Sequence, residues 1–400
     1  MKVYIISAKR TAIGKFLGSL SGFGAGELGA IVIKNLLKDT GIDPQSIDQV
    51  IVGNVLSAGQ GQGIARQAAL KAGIPHHVPA YGIDMVCGSG MKSVMLGCME
   101  IASGNADIIV AGGVESMSNT PFMVDSSLRN GQKMGDFKAV DHMVFDGLTD
   151  AFNNYHMGIT AENVAEKYGI SRNAQDDFAF NSQQKALNAV DAGVFAKEIV
   201  PIEIVSKKET FIFDKDEYPN RASTLEKLAA LKPAFKKDGT VTAGSASGVN
   251  DGASFVVIMS ERKVKELGIE PLVEVIAYGQ GGVAPEVMGL GPVPAIRQAL
   301  QKAEMTLPQM NVLELNEAFA AQSLGVVEEL SIEHKVSKEW ILERTNVNGG
   351  AIALGHPIGA SGNRIIVTLI HEMRRSNHRF GLASLCIGGG MGTAIILKNV

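Results

Sequence analysis

The chain has 400 residues, 46 % hydrophobic and 20 % charged, a globular composition far from that of disordered segments. Its net charge of −4 gives no bulk reason to expect nucleic acid as a partner, so an anionic substrate must be met by local basic groups. Three unspaced cysteines fit neither a disulfide framework nor a zinc site, and the expectation is no metal and a reducing cytoplasm. No stretch reaches the roughly 18 apolar residues of a membrane span, and the opening apolar run, broken by Lys9 and Arg10, is too short for a signal segment.

In chain order, Val3–Ser7 and Val50–Val55 read as strands. Residues 83–118 then give a loop, Cys87-Gly88-Ser89-Gly90, a helix over Met91–Ser103, a buried strand Ile108–Ala111 and Gly112-Gly113. Residues 346–397 repeat that order, with a loop ending in Gly355-His356-Pro357, a helix over Asn363–Arg375, a strand Leu382–Cys386 and Gly388-Gly389-Gly390. This is the pattern of a duplicated α/β unit. Continuous apolar strands alternating with helices predict sheets covered on both faces.

Between the halves the texture changes. Residues 118–247 carry a charged loop with Arg129, Lys133 and Lys138, then helical stretches at Ala161–Tyr168 and Ala174–Ala192. Asn173 is the expected N-cap of the second helix and Gly193 its C′ residue. The predicted division is 1–117 plus 248–270 as one α/β half, 118–247 as an inserted loop or lid domain, and 271–400 as the other half.

Three segments carry the candidate chemistry. Cys87 directly precedes a helix, whose unpaired N–H groups lower a thiol pKa and cradle an oxyanion. Cys98, on the apolar run of that helix, reads as core. His356 precedes Pro357, which disfavours helix for it and predicts a rigid loop. Cys386 ends a strand before three glycines, where active residues of α/β sheets gather. Asn316, in Asn316-Glu317-Ala318-Phe319, reads as a helix N-cap, as an amide holding a water or carbonyl oxygen, or as both. Gly59-Gln60-Gly61-Gln62-Gly63 lacks the ending of a P-loop and reads as a plain loop. A thiol, an imidazole and a second thiol suffice for acyl transfer onto sulfur followed by proton abstraction from carbon.

As an ordered set, these segments resemble the thiolase superfamily, specifically its biosynthetic acetyl-CoA acetyltransferases. The resemblance covers essentially the whole chain, including Gly112-Gly113-Val114-Glu115-Ser116-Met117, Tyr155-His156-Met157-Gly158, Met288-Gly289-Leu290-Gly291 and Asn348-Gly349-Gly350-Ala351. It implies a duplicated αβαβα layered core and reversible condensation of two acetyl-CoA to acetoacetyl-CoA plus CoA. Coenzyme A thioesters would be substrates, with no resident cofactor, in a homo-oligomer (dimer or tetramer). By resemblance Cys87 carries the acetyl group, His356 takes its proton, and Cys386 removes the α-proton of the second acetyl-CoA. His356 and a water on Asn316 stabilise the enolate, and the N–H groups of Cys87 and Gly388 hold the tetrahedral oxygen. His156 and Ser247 line the pantetheine arm, Met157 and Met288 wall the acyl pocket, and Arg221 is a phosphate candidate.

Two thiols meeting one substrate carbon also suggest a disulfide formed by mild oxidant. Three departures stand out: Asp84 replaces the usual Asn, Ser or Thr, the arginine at 221 is shifted by one position, and residues 330–345, with the only tryptophan, form an expected surface elaboration. A ketoacyl synthase pairs one cysteine with two histidines, which the Cys386 segment disfavours. A catalytically silent relative would have lost a cysteine or His356.

Overall fold

The computed structural model describes residues 2–205 and 209–400. Its sheet runs through β1 (Val3–Thr11), β2 (Gln49–Gly53), β3 (Ala80–Ile83), β4 (Ile108–Ser116), β5 (Asn250–Ser260), β6 (Val273–Gly282), β7 (Val312–Leu315), β8 (Phe380–Ile387) and β9 (Met391–Asn399). The spatial order is β7-β8-β9-β6-β1-β5-β4-β2-β3. From the centre outward, one direction reads β1-β5-β4-β2 and the other β6-β9-β8-β7. The two series share their strand directions as well: antiparallel for the first two pairings, parallel for the third. The duplication read from the loop–helix–strand repeat is therefore built into the sheet. The halves join through antiparallel β1 and β6, where Tyr4 faces Glu274.

The helices used below are α1 (Ala25–Thr40), α2 (Ile64–Lys71), α3 (Ser89–Ala102), α4 (Met157–Tyr168), α5 (Arg172–Asp191), α6 (Pro292–Ala303), α7 (Ala320–His334), α8 (Lys338–Arg344) and α9 (Ile358–Arg375). Met91, Val94, Met95, Cys98 and Ile101 recur at helical spacing on α3 and join Ile365, Ile366 and Leu369 of α9 in one buried cluster. Strand residues of both halves, among them Ile109, Val256, Leu385 and Ile395, close it from either side. Helices α1 and α2 cover the outer face of the first half, and α6 and α7 that of the second. The result is the expected α-β-α-β-α layering, with Cys98 in the core.

Glycines let α3 and α9 cross at their first turns. A Cβ on Gly90 would lie 2.8 Å from Asn363 N, and one on Gly113 only 2.0 Å from Gly359 O. That explains why β4 runs on to Ser116, beyond the expected end at Ala111. Gly112 and Gly113 are strand residues against which other backbone packs.

Other boundaries shift for local reasons. Helix α5 starts at Arg172 because Ser171, not Asn173, caps it, its Oγ accepting from Ala174 N at 3.2 Å. Helix α4 begins at Met157, earlier than expected, because His156 is its cap: Nδ1 accepts from Gly158 N at 3.0 Å. In the 330–345 segment Ile341 is buried in the outer core while Arg344 stacks 4.4 Å from the Trp340 ring, so the surface elaboration is anchored. Among the described residues no helix is long and apolar enough to cross a membrane.

Candidate active site

Cys87 is set in a tight, over-determined turn. Asp84 Oδ1 accepts from Val86 N at 2.8 Å, and Ser89 Oγ accepts from Met85 N at 2.8 Å while donating to Val86 O at 2.7 Å. Val86, a β-branched residue, is thereby held at φ 45°, a left-handed conformation that costs on the order of 1–3 kcal/mol. Asp84 is thus a turn-former, exposed at the surface. The backbone N–H groups of Gly388 and of Cys87 itself act to lower the thiol pKa. Burial nevertheless outweighs them and pushes the Cys87 thiol up to about 11. The lowering expected from a helix start is thus opposed by burial. A neighbouring base would activate the thiol at the moment of attack.

His356 lines the same cavity and is the candidate base. Gly355 before it has φ 104°, and a Cβ there would sit 2.5 Å from the Asn250 amide carbon, whose Oδ1 accepts His356 N–H at 2.9 Å. Ser361 Oγ lies 2.6 Å from His356 Nδ1 and donates to Pro357 O at 3.0 Å. With the Ser361 hydroxyl donating to Pro357 O, Nδ1 acts as donor to Ser361 and the lone pair lies on Nε2. Burial, with Arg364 adding to it, lowers the His356 pKa to about 4, so the ring is neutral from physiological pH down to that value. Ser361→Ala should free the other tautomer and lower kcat about tenfold with KM little changed. Steady-state thiolysis checks this; an unchanged kcat would sink the tautomer argument.

Cys386 is the penultimate residue of β8, just before the hairpin to β9, and is 1 % exposed. It packs with Met157, Met288, Ala318 and Phe319, and burial drives its pKa well above the usual thiol range. The two halves contribute unlike parts to this site. Cys87 precedes α3 as the His356 loop precedes α9, whereas Cys386 lies on β8, whose counterpart is β4. Cys87 and Cys386 are therefore not topological equivalents, although their thiols couple electrostatically. All three cysteines are free thiols.

Asn316 donates its backbone N–H to Ser384 O at 3.0 Å, beside β8. It does not cap α7, which starts at Ala320 with Phe319 at the N-cap. Its side chain is 1 % exposed and neither amide atom has a protein partner, the state of a buried amide suited to a water or substrate oxygen.

Cys87, His356, Gly388, His156, Met157, Ser247 and Met288 line one cavity of about 270 Å³. The inserted segment supplies the opposite wall. Ser247 N donates to Ala318 O at 2.9 Å, and Phe235 stacks on His156 at 4.6 Å with Phe319 edge-on at 5.9 Å. A mostly apolar slot with one thiol and one neutral imidazole on its wall, and a second thiol packed against its methionines, can pass an acyl group between sulfurs.

Models of the thiolase N-terminal and C-terminal domains match residues 3–262 and 269–399. The chain belongs to the thiolase family. It is 55 % identical over 398 residues to an acetyl-CoA acetyltransferase of Pseudomonas aeruginosa, covering 99 % of each chain. The crystal structure of the Bacillus anthracis acetyl-CoA acetyltransferase superposes with TM-score 0.95 at 43 % identity, covering 100 % of this chain and 99 % of that one. Human mitochondrial 3-ketoacyl-CoA thiolase gives TM-score 0.95 at 44 % identity, with the same coverage.

Two other residue groups fall outside the thiolase cavity. Arg221 is exposed and pairs with Asp191, and Arg129, Lys133 and Lys138 lie on an exposed loop. Conversely, Phe235, Phe319, Tyr218 and Ile358 line the cavity without having been singled out from sequence. For Phe235 a signal existed, an isolated aromatic in front of Lys236 and Lys237.

Proposed function

We propose that this thiolase catalyses reversible Claisen condensation of two acetyl-CoA to acetoacetyl-CoA and CoA through an acetyl-Cys87 intermediate. His356 takes the Cys87 proton as sulfur attacks the first thioester, and the N–H groups of Cys87 and Gly388 hold the tetrahedral oxygen. CoA leaves with the proton of Cys386. The resulting thiolate removes the α-proton of the second acetyl-CoA, whose enolate oxygen is met by His356 and by a water on Asn316. Attack on the acetyl carbon frees Cys87 as a thiolate, which regains its proton from His356. Cys87 thus recovers its own proton, while Cys386 replaces the proton carried off by CoA with the α-proton of acetyl-CoA, so both thiols are restored and the cycle closes.

The observation that carries this reading is that Cys87, His356 and Gly388 face one apolar cavity, with Cys386 packed against its Met157 and Met288. Mass spectrometry after incubation with acetyl-CoA tests it: one acetyl group is expected on Cys87, and labelling of Cys98 or Cys386 instead would overturn the assignment. His156 and Ser247 would follow the pantetheine arm. Arg221 would meet a coenzyme A phosphate only by opening its ion pair with Asp191.

Met157 and Met288, both buried and lining the slot, favour a short acyl group. kcat/KM for acetoacetyl-CoA should exceed that for a long-chain 3-ketoacyl-CoA by on the order of tenfold or more, since extra methylenes have no room. A long-chain preference would support a 3-ketoacyl-CoA thiolase instead. A cytoplasmic homo-oligomer, dimer or tetramer, completes the proposal. Exposed Phe122, Met134, Phe137 and Phe145 on the inserted segment support assembly.

A further inference from the structure

Glu115 closes β4 with its side chain fully buried, and none of the steps above uses it. Its carboxylate accepts from Asn54 Nδ2 at 2.8 Å, Val55 N at 3.2 Å, Leu56 N at 3.1 Å and Gly359 N at 2.9 Å. Three of these donors follow β2; the fourth lies in the first turn of α9, just after His356. Val55, Leu56 and Ile358 share one apolar cluster, and Cys87 packs against it. At Gly359 the fit is so close that a Cβ would stand 2.7 Å from Glu115 Oε2. One carboxylate thus ties the wall behind the nucleophile to the loop that carries the base.

We propose that Glu115 is a positioning residue for acyl transfer, a buried anionic clamp that fixes the His356 loop against the wall behind Cys87. The proposal rests on the reading of Cys87 as acyl carrier. All four donors are satisfied only in one relative placement of the two segments, and a buried donor left unpaired is costly. Catalysis by a base on a neighbouring loop depends on that placement. The clamp also carries charge. Burial pushes the Glu115 pKa up to about 7, so at mildly alkaline pH it is a carboxylate whose field disfavours the Cys87 thiolate. The titratable groups around it are Asp84 and Cys87 on the turn before α3, with His356 and Cys386 across the cavity.

Two variants test this in the full-length enzyme. Glu115→Gln keeps the shape, removes the charge and turns an amide N–H₂ toward backbone donors. kcat for acetoacetyl-CoA thiolysis should fall on the order of tenfold or more with KM nearly unchanged. Cys87 alkylation by iodoacetamide, located by peptide mapping, should become about threefold faster between pH 8 and 9, because a like charge is gone. Glu115→Asp keeps the charge but withdraws from Gly359, so kcat should fall without faster alkylation. A Gln variant with unchanged kcat and alkylation would overturn the clamp. If that variant does not fold, an unchanged kcat in Glu115→Asp overturns it alone. Acetyl labelling of the unaltered enzyme away from Cys87 would sink the acyl-carrier reading, a result neither variant can produce.

Discussion

Cys87→Ala is expected to reduce acetoacetyl-CoA thiolysis by on the order of 10⁴- to 10⁶-fold, the scale on which loss of a covalent nucleophile is felt. The reason lies in how little else the cavity offers. Its walls are mostly apolar, and the remaining Cys386 packs with Met157 and Met288 rather than lining the cavity as Cys87 does. Cys87→Ser should recover little. A hydroxyl is a far weaker nucleophile than a thiol, and the same burial that holds the thiol near 11 disfavours an alkoxide more strongly. Binding should survive in both variants, because Phe235, Phe319, His156 and the methionines are untouched. The measurement is kcat together with the dissociation constant for acetyl-CoA. A Cys87→Ala enzyme within about a hundredfold of normal turnover would show that another group carries the acetyl.

Much of the architecture was legible because apolar runs and glycines encode it directly. The repeat of loop, helix, buried strand and glycines in residues 83–118 and 346–397 became two matching series of strands around the β1–β6 junction. Glycine clusters pointed to close approach, and Gly90, Gly113 and Gly355 are indeed where other atoms come within 3 Å of a would-be Cβ. What sequence could not give was the balance of opposing terms. A helix start lowers a thiol pKa, but the depth of burial at Cys87 reverses the sign, and burial is a tertiary quantity. His156 as cap of α4 was missed because histidine is not a usual capping residue. The Glu115 donors come from segments more than two hundred residues apart in the chain, a relation no local pattern contains. Arg221 shows the converse: a basic residue in the expected neighbourhood is engaged by Asp191 on α5.

Cys386→Ala separates the two halves of the reaction. Acetyl transfer from acetyl-CoA to Cys87 needs a base for the Cys87 proton and donors for the oxyanion, and those are His356 and the N–H groups of Cys87 and Gly388. Cys386 contributes there only the proton for departing CoA, and a coenzyme A thiolate can leave without it. Formation of acetyl-Cys87 should therefore slow by no more than about tenfold. Carbon–carbon bond formation is different, since the α-proton of a thioester is a very weak acid and needs a strong base placed against it. The apolar packing of Cys386 provides that: burial raises its pKa well above the usual thiol range, which makes its thiolate a stronger base. Removing it should cost about 10³-fold or more in condensation and thiolysis. Exchange of the α-protons of bound acetyl-CoA with solvent deuterium should stop. Stability should change little, as a buried thiol exchanged for a methyl group leaves only a small void, worth about 1 kcal/mol. Acetyl-Cys87 would then accumulate, visible by mass spectrometry as a trapped intermediate. Normal α-proton exchange in this variant would refute the role of Cys386, and failure to acetylate Cys87 would mean that both thiols serve the first half-reaction.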